Sequence, residues 1–182
     1  MERTLVLIKP DGMRRNLADE IISRYIDAGL NIVAKKTVEV SRELAENHYP
    51  ASDSQVVGMG NKTIQAAEEA GNPDSVMELF GTKDPREIGM MLREWLVEFI
   101  MSVPVIAIIL EGDGAIQHVR KLTGFTDPSR AEKGTIRGDL GEDSIQKANS
   151  EKRATENLVH ASGNPEEAAA EIALWFTEEE LE

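Results

Sequence analysis

The sequence predicts an α+β fold, a ferredoxin-like antiparallel sheet with helices packed on it and a helical insertion. Three observations carry this. Short, β-branched or wholly apolar runs near residues 3–9, 31–40 and 103–110 read as strands. Between them lie stretches whose apolar residues recur at helical spacing, giving the order β-α-β-α-α-β-α-β-α, which suits helices laid over a sheet. Finally, residues 50–91 are cut by glycines at 58, 60, 71, 81 and 89 and prolines at 73 and 85, and so differ from the periodic segments on either side.

Each element has its own justification. Arg3 to Lys9 is the first strand, broken by the turn chemistry of Pro10-Asp11-Gly12. From Asn16 to Ala28, Leu17, Ile21, Ile22, Tyr25 and Ile26 share a helical face, and Gly29 ends the run. Leu30 to Val40 is a strand, and Ser41 caps a short helix ending near Tyr49. Within 50–91 the glycines and prolines predict several short helices, among them Thr63–Ala70 and Ser75–Phe80, packed locally as an ordered lobe through Val56, Ile64, Val76 and Phe80. Leu92 to Met101 is helical, Val103 to Leu110 the most apolar strand, Ala115 to Leu122 helical, and Thr135 to Asp139 a last short strand. Residues 142–155 are polar and read as an exposed excursion. Pro165, a favoured first helical residue, opens a helix running to Phe176.

Composition narrows the function. A chain of 182 residues fits one domain, 1–182. No apolar run approaches the ~18 residues of a membrane span, and the short N-terminal apolar stretch is no signal peptide, so membrane association is not expected and a cytoplasmic location is. The net charge of −13 argues against nucleic-acid binding, yet a local basic cluster can still hold a small phosphorylated ligand. Gly58 to Thr63 imitates the end of a phosphate-binding loop, but Val56 and Asn61 stand where that loop needs glycine. His48, His118 and His160 are far apart in sequence without ligands at metal spacing, and no metal-binding residues are assigned; His48 and His118 read as surface or helix-packing residues. His160 differs, because a helix start follows it. A neutral imidazole is a competent nucleophile toward phosphorus, and helix N–H groups can steady added negative charge.

Four ordered blocks give these residues a context. Asn157-Leu158-Val159-His160-Ala161-Ser162, the opening Glu2 to Gly12, the stretch Thr126-Asp127-Pro128 through Lys133 to Asp139, and Glu171 to Phe176 together resemble the nucleoside diphosphate kinase family. The resemblance covers roughly residues 2–49, 92–140 and 157–180, with longer segments at about 50–91 and 141–155.

The resemblance implies a ping-pong transfer of the γ-phosphoryl group of a nucleoside triphosphate to a nucleoside diphosphate through phospho-His160, oriented by Glu171. It implies that Lys9, Arg120, Thr126 and Arg137 meet phosphates, that Asn157 meets the ribose, and that Tyr49 lies close to the histidine. Mg²⁺ would come bound mainly to the nucleotide phosphates, and the assembly would be a homo-oligomer, a hexamer or tetramer. Ser162 reads either as a hydrogen-bond partner in the site or as the N-cap of the next helix. The base-stacking position falls on Leu92, which offers no π face; Trp95 or Phe80 are the alternative rings. The rival from another class is a phosphohistidine or nucleotide-binding regulatory protein on the same scaffold.

Overall fold

The computed structural model describes residues 1–181. Its centre is a four-stranded sheet in the order β2-β3-β1-β4, every neighbouring pair antiparallel. The strands are β1 (Glu2–Ile8), β2 (Asn31–Val38), β3 (Val105–Gly112) and β4 (Val159–Ala161). The two inner strands are covered on both faces, which is why Leu5–Ile8 and Val105–Leu110 are nearly continuous apolar runs. Alternate residues serve opposite cores. Val6, Ile8, Ile108 and Leu110 meet Ile21, Ile22 and Tyr25 of α2 (Ala18–Asp27) and Val119 of α7 (Ala115–Thr123). Leu5, Leu7, Ala107 and Ile109 meet Ala45 of α3 (Arg42–His48), Val97 and Ile100 of α6 (Pro85–Ile100), and Trp175 of α10 (Pro165–Trp175).

Several expectations are corrected. Pro10 to Gly12 is not a turn but the start of α1 (Pro10–Arg14), with proline at its first position and Lys9 as N-cap. Thr135 to Asp139 is not a strand: the Thr135 hydroxyl accepts the Gly138 N–H and caps α8 (Ile136–Leu140). The fourth strand is instead Val159–Ala161, only three residues long, too short for a period-two pattern to register. The polar stretch 142–155 contains α9 (Ile145–Ser150), capped by Ser144, and it is pinned down by the buried Asp143, which accepts two hydrogen bonds from Arg153 and one from the Glu156 N–H.

The segment 50–91 is an ordered helical lobe, but not of short pieces throughout. The 17-residue α4 (Asp53–Glu69) runs straight through Gly58 and Gly60, α5 (Ser75–Phe80) is short as expected, and α6 starts at Pro85 behind the N-cap Asp84. Two of the glycines are there for packing. A Cβ on Gly60 would lie 1.8 Å from the Pro85 carbonyl oxygen, and one on Gly89 would lie 1.9 Å from that of Val56, so α4 and α6 cross with their backbones in contact. The stretch resembling a phosphate-binding loop, Gly58 to Thr63, lies wholly within α4. None of the helices among the described residues is long and apolar enough to cross a membrane.

Candidate functional site

At the end of β1, against β4, a cleft of about 360 Å³ opens between α6, α7 and the segment 124–137. Pairing of β4 with β1 sets Leu7 opposite His160 and fixes the histidine at the cleft wall. The ring is oriented from α10: His160 Nε2 lies 2.9 Å from Glu171 Oε1, and the other carboxylate oxygen accepts from the Ser162 hydroxyl. A carboxylate accepts only, so Nε2 carries the proton, and in the neutral ring Nδ1 holds the lone pair. The Ser162 alternatives are settled: it bonds Glu171, and Asn164 caps α10.

The cationic side of the cleft is Lys9, Arg120 and Arg137, with no carboxylate among its lining residues. Lys9 is 4% exposed and donates to Asn157 Oδ1 at 2.8 Å; burial, opposed by the charge of Asp11, lowers its pKa to about 8. Asn157 in turn donates to the Thr126 carbonyl at 3.0 Å, tying the 124–137 segment to β4. Arg137 spends its guanidinium on three backbone carbonyls, Asn157 at 3.0 Å, Gly124 at 3.1 Å and Val159 at 2.6 Å. Its burial lowers its pKa to about 10, so it remains a cation at neutral pH. Arg120, in the last turn of α7, is exposed and makes no hydrogen bond or ion pair among the described residues, which leaves its charge for a ligand. Tyr49 lines the cleft too; burial, then the charge of Glu171, raise its phenol above the usual range.

Thus Lys9, Tyr49, Arg120, Thr126, Arg137, Asn157 and His160 share one cleft, with Glu171 directly behind the histidine. Leu92 is not among them. It packs in the lobe against Val76, Phe80 and Ile88, and Trp95 and Phe80 stack on each other with centroids 5.8 Å apart. The cleft is lined instead by Leu96, one turn further along α6, and by Phe125, a residue 52% exposed whose ring lies 4.8 Å from the Arg130 guanidinium. Neither was singled out from the sequence; Leu96 was recoverable as the next residue on the face of Leu92.

His48 is a helix-packing residue, the second of the two readings its sequence allows, and not a surface one. It is buried edge-on against His160, centroids 4.4 Å apart, and its Nδ1 accepts from Trp175 Nε1–H at 3.2 Å. Burial, followed by His160 and Lys9, pushes its pKa well below the ordinary value and keeps it neutral. The hint was its place on one helical face with Leu44 and Ala45, which a sequence reading could have taken as the inward face. The distance in sequence between His48 and His160 was therefore misleading. Ligand atoms of His48, His160 and Glu171 lie within 4.8 Å of one another, close enough to hold a metal ion, although His160 Nε2 is already bonded to Glu171 and His48 Nδ1 to Trp175.

Comparison with known proteins extends this geometry to lineage. The family profile described as nucleoside diphosphate kinase matches residues 2–70 and 73–181. The nucleoside diphosphate kinase of Pyrobaculum aerophilum is 44% identical over 182 residues, covering 100% of this chain and 98% of the relative, and that of Archaeoglobus fulgidus is 38% identical over 181 residues, covering 100% and 90%. A crystal structure of an NDP kinase from P. aerophilum superposes with a TM-score of 0.93 at 45% identity, covering 99% of this chain and 98% of that one, so the helical lobe has a counterpart there. A transition state mimic of the nucleoside-diphosphate kinase from Borrelia burgdorferi, with bound vanadate and ADP, superposes at 0.75 with 32% identity, covering 98% and 89%. With profile, sequence and backbone all agreeing from end to end, the chain belongs to the nucleoside diphosphate kinase family.

Proposed function

We propose that this chain transfers the γ-phosphoryl group of a nucleoside triphosphate to a nucleoside diphosphate, with His160 Nδ1 as the intermediate acceptor. The observation that carries the reading is the pairing of Nε2 with Glu171, which leaves Nδ1 as the free nitrogen of a histidine set in a cleft with Lys9, Arg120 and Arg137. In the first half-reaction the Nδ1 lone pair forms an N–P bond as the bond from the γ-phosphorus to the bridging oxygen breaks, and the diphosphate leaves with that electron pair. The imidazolium that forms keeps its Nε2 proton against the Glu171 carboxylate, which offsets its charge. In the second half-reaction a terminal oxygen of the new diphosphate attacks phosphorus, and the N–P electrons return to Nδ1.

Phosphoryl transfer is chiefly positioning and charge neutralisation. Lys9, Arg120 and Arg137 supply the positive charge, Thr126 and Asn157 hydrogen bonds to the nucleotide, and Leu96 with Phe125 apolar surface for the base. Mg²⁺, arriving on the nucleotide phosphates, would spread their negative charge; with no carboxylate in the cleft lining, the protein residues suit the phosphates rather than the ion. We further expect a homo-oligomer in the cytoplasm. The reaction is tested by incubation with γ-labelled ATP alone, then GDP. Label that binds the protein, survives base but not acid, and leaves on GDP addition supports it; no label, or label retained in His160→Ala, refutes it.

A further inference from the structure

Two residues before His160 the chain makes a turn that is costly to hold. Leu158, wholly buried, has φ +70, and the N–H of Val159 bonds the carbonyl of Asn157 at 2.8 Å across it. This is a γ-turn with a β-unbranched but bulky residue in left-handed space, of the rare and strained kind. It separates the two residues that must be aimed together, Asn157 and His160. Strain of this sort persists only where the surroundings over-determine it.

The surroundings here are the first residues after β1. The Lys9 N–H donates to the Leu158 carbonyl at 2.8 Å, the Leu158 N–H donates to Asp11 Oδ2 at 2.9 Å, and a Cβ on Gly12 would come within 3.3 Å of that same carbonyl. Both polar groups of the strained residue are thus held by one short segment, whose only side-chain contribution is Asp11.

Asp11 is 2% exposed, and its second oxygen, Oδ1, has no hydrogen-bond partner. A buried carboxylate left half-satisfied is expensive. If accepting the Leu158 N–H were its whole task, a neutral amide would serve at lower cost. The neighbour that benefits from the charge is Lys9, buried at the cleft: Asp11 is the largest influence opposing the loss of its proton, with Glu156 adding to it and Arg137 acting the other way. From the α3 end His48 is neutral and the Tyr49 phenol, its pKa raised, is neutral too, and from α6 the Phe99 ring lies 5.3 Å from the Lys9 ammonium.

We propose that Asp11 is a positioning residue for phosphoryl transfer, clamping the strained turn between Asn157 and His160 and setting a buried carboxylate near the Lys9 ammonium. The inference rests on the reaction proposed above, but two of its three measurements do not. Three measurements on the folded protein separate the two tasks: the titration of a ¹³C-labelled Lys9 side chain, hydrogen exchange at the Leu158 amide, and the pH dependence of labelling by γ-labelled ATP. In Asp11→Asn the amide oxygen still accepts, so Leu158 stays protected, while Lys9 titrates at lower pH and the alkaline edge of labelling moves down with it. In Asp11→Ala protection of Leu158 is lost as well, and labelling falls roughly tenfold to a hundredfold at every pH, the scale of a misplaced nucleophile. An unchanged Lys9 titration in Asp11→Asn overturns the proposal, as does a Leu158 amide equally protected in a folded Asp11→Ala; should Asp11→Ala not fold, Asp11→Asn decides alone. Absence of label in the wild type would sink the reaction, yet Lys9 titration and Leu158 exchange would still report on the clamp.

Discussion

Replacing Gly60 with alanine tests whether the lobe is held by backbone contact. The added Cβ would sit 1.8 Å from the Pro85 carbonyl oxygen, whereas ordinary contact begins near 3.4 Å, so α4 and α6 would have to part by roughly 1.6 Å at the crossing. The obstacle is backbone, which cannot rotate aside. Overpacking of this kind costs ~1–3 kcal/mol, and the better helix propensity of alanine returns at most ~1, so a net loss of about 1–2 kcal/mol is expected. Gly58 lies on the same helix, and a Cβ there meets nothing within 4 Å. Gly58→Ala should therefore be neutral or stabilising by up to ~1 kcal/mol. Gly60→Ala and Gly89→Ala push the same two helices apart, so the double variant should lose less than the sum of the singles. Urea unfolding measures all four. Because α6 also carries Leu96 at the cleft and Arg93, which donates to the Tyr49 carbonyl, KM for ATP should rise severalfold in Gly60→Ala while His160 remains labelled. A Gly60→Ala protein as stable as Gly58→Ala would refute the close-crossing argument, and additive losses in the double variant would refute the shared displacement.

The other predictions concern the cleft. Lys9→Ala and Arg137→Ala should each lose roughly 10²–10³ in kcat, measured at saturating nucleotide, as removal of a transition-state charge partner does; near-normal rates would show that the phosphates bind elsewhere. Steady-state kinetics should give parallel double-reciprocal lines, and intersecting lines would exclude a phosphoenzyme route. The Lys9 pKa of about 8 lies below its unfolded value of 10.5, so the ammonium is present below pH 8 and lost above it: transfer should decline as pH rises through that value. The same shift makes the unfolded chain bind more protons between these pH values, so the Lys9 contribution to stability rises with pH there; denaturation of wild type against Lys9→Met isolates it. Leu92→Ala should lower stability with little change in KM, and Leu96→Ala should raise KM with little change in stability; the reverse would restore Leu92 to the nucleotide site.

What the sequence determined by itself was whatever depends on local periodicity and on contiguous motifs. The inner strands could be read because both their faces are buried, and Val105–Leu110 therefore carries no polar interruption. The family could be read because Asn157 to Ser162, Glu2 to Gly12 and the Thr126–Asp139 stretch are unbroken strings, and Lys9, Asn157, His160 and Arg137 lie within them. The tertiary structure decided what depends on partners distant in the chain. Gly60 and Gly89 look like helix breakers until the opposing helix is in place, because the need for glycine arises from a Pro85 or Val56 carbonyl and not from the local backbone. Val159–Ala161 becomes a strand only because β1 offers it an unpaired edge, whereas Thr135–Asp139, also short, finds a hydroxyl cap and no edge. His48 joins His160 across more than a hundred residues, and Leu96 displaces Leu92 at the cleft because the lobe claims Leu92 for its own core. Spacing along a chain records the period of its elements; it does not record which faces meet, since that is fixed only when all the apolar surfaces are buried together.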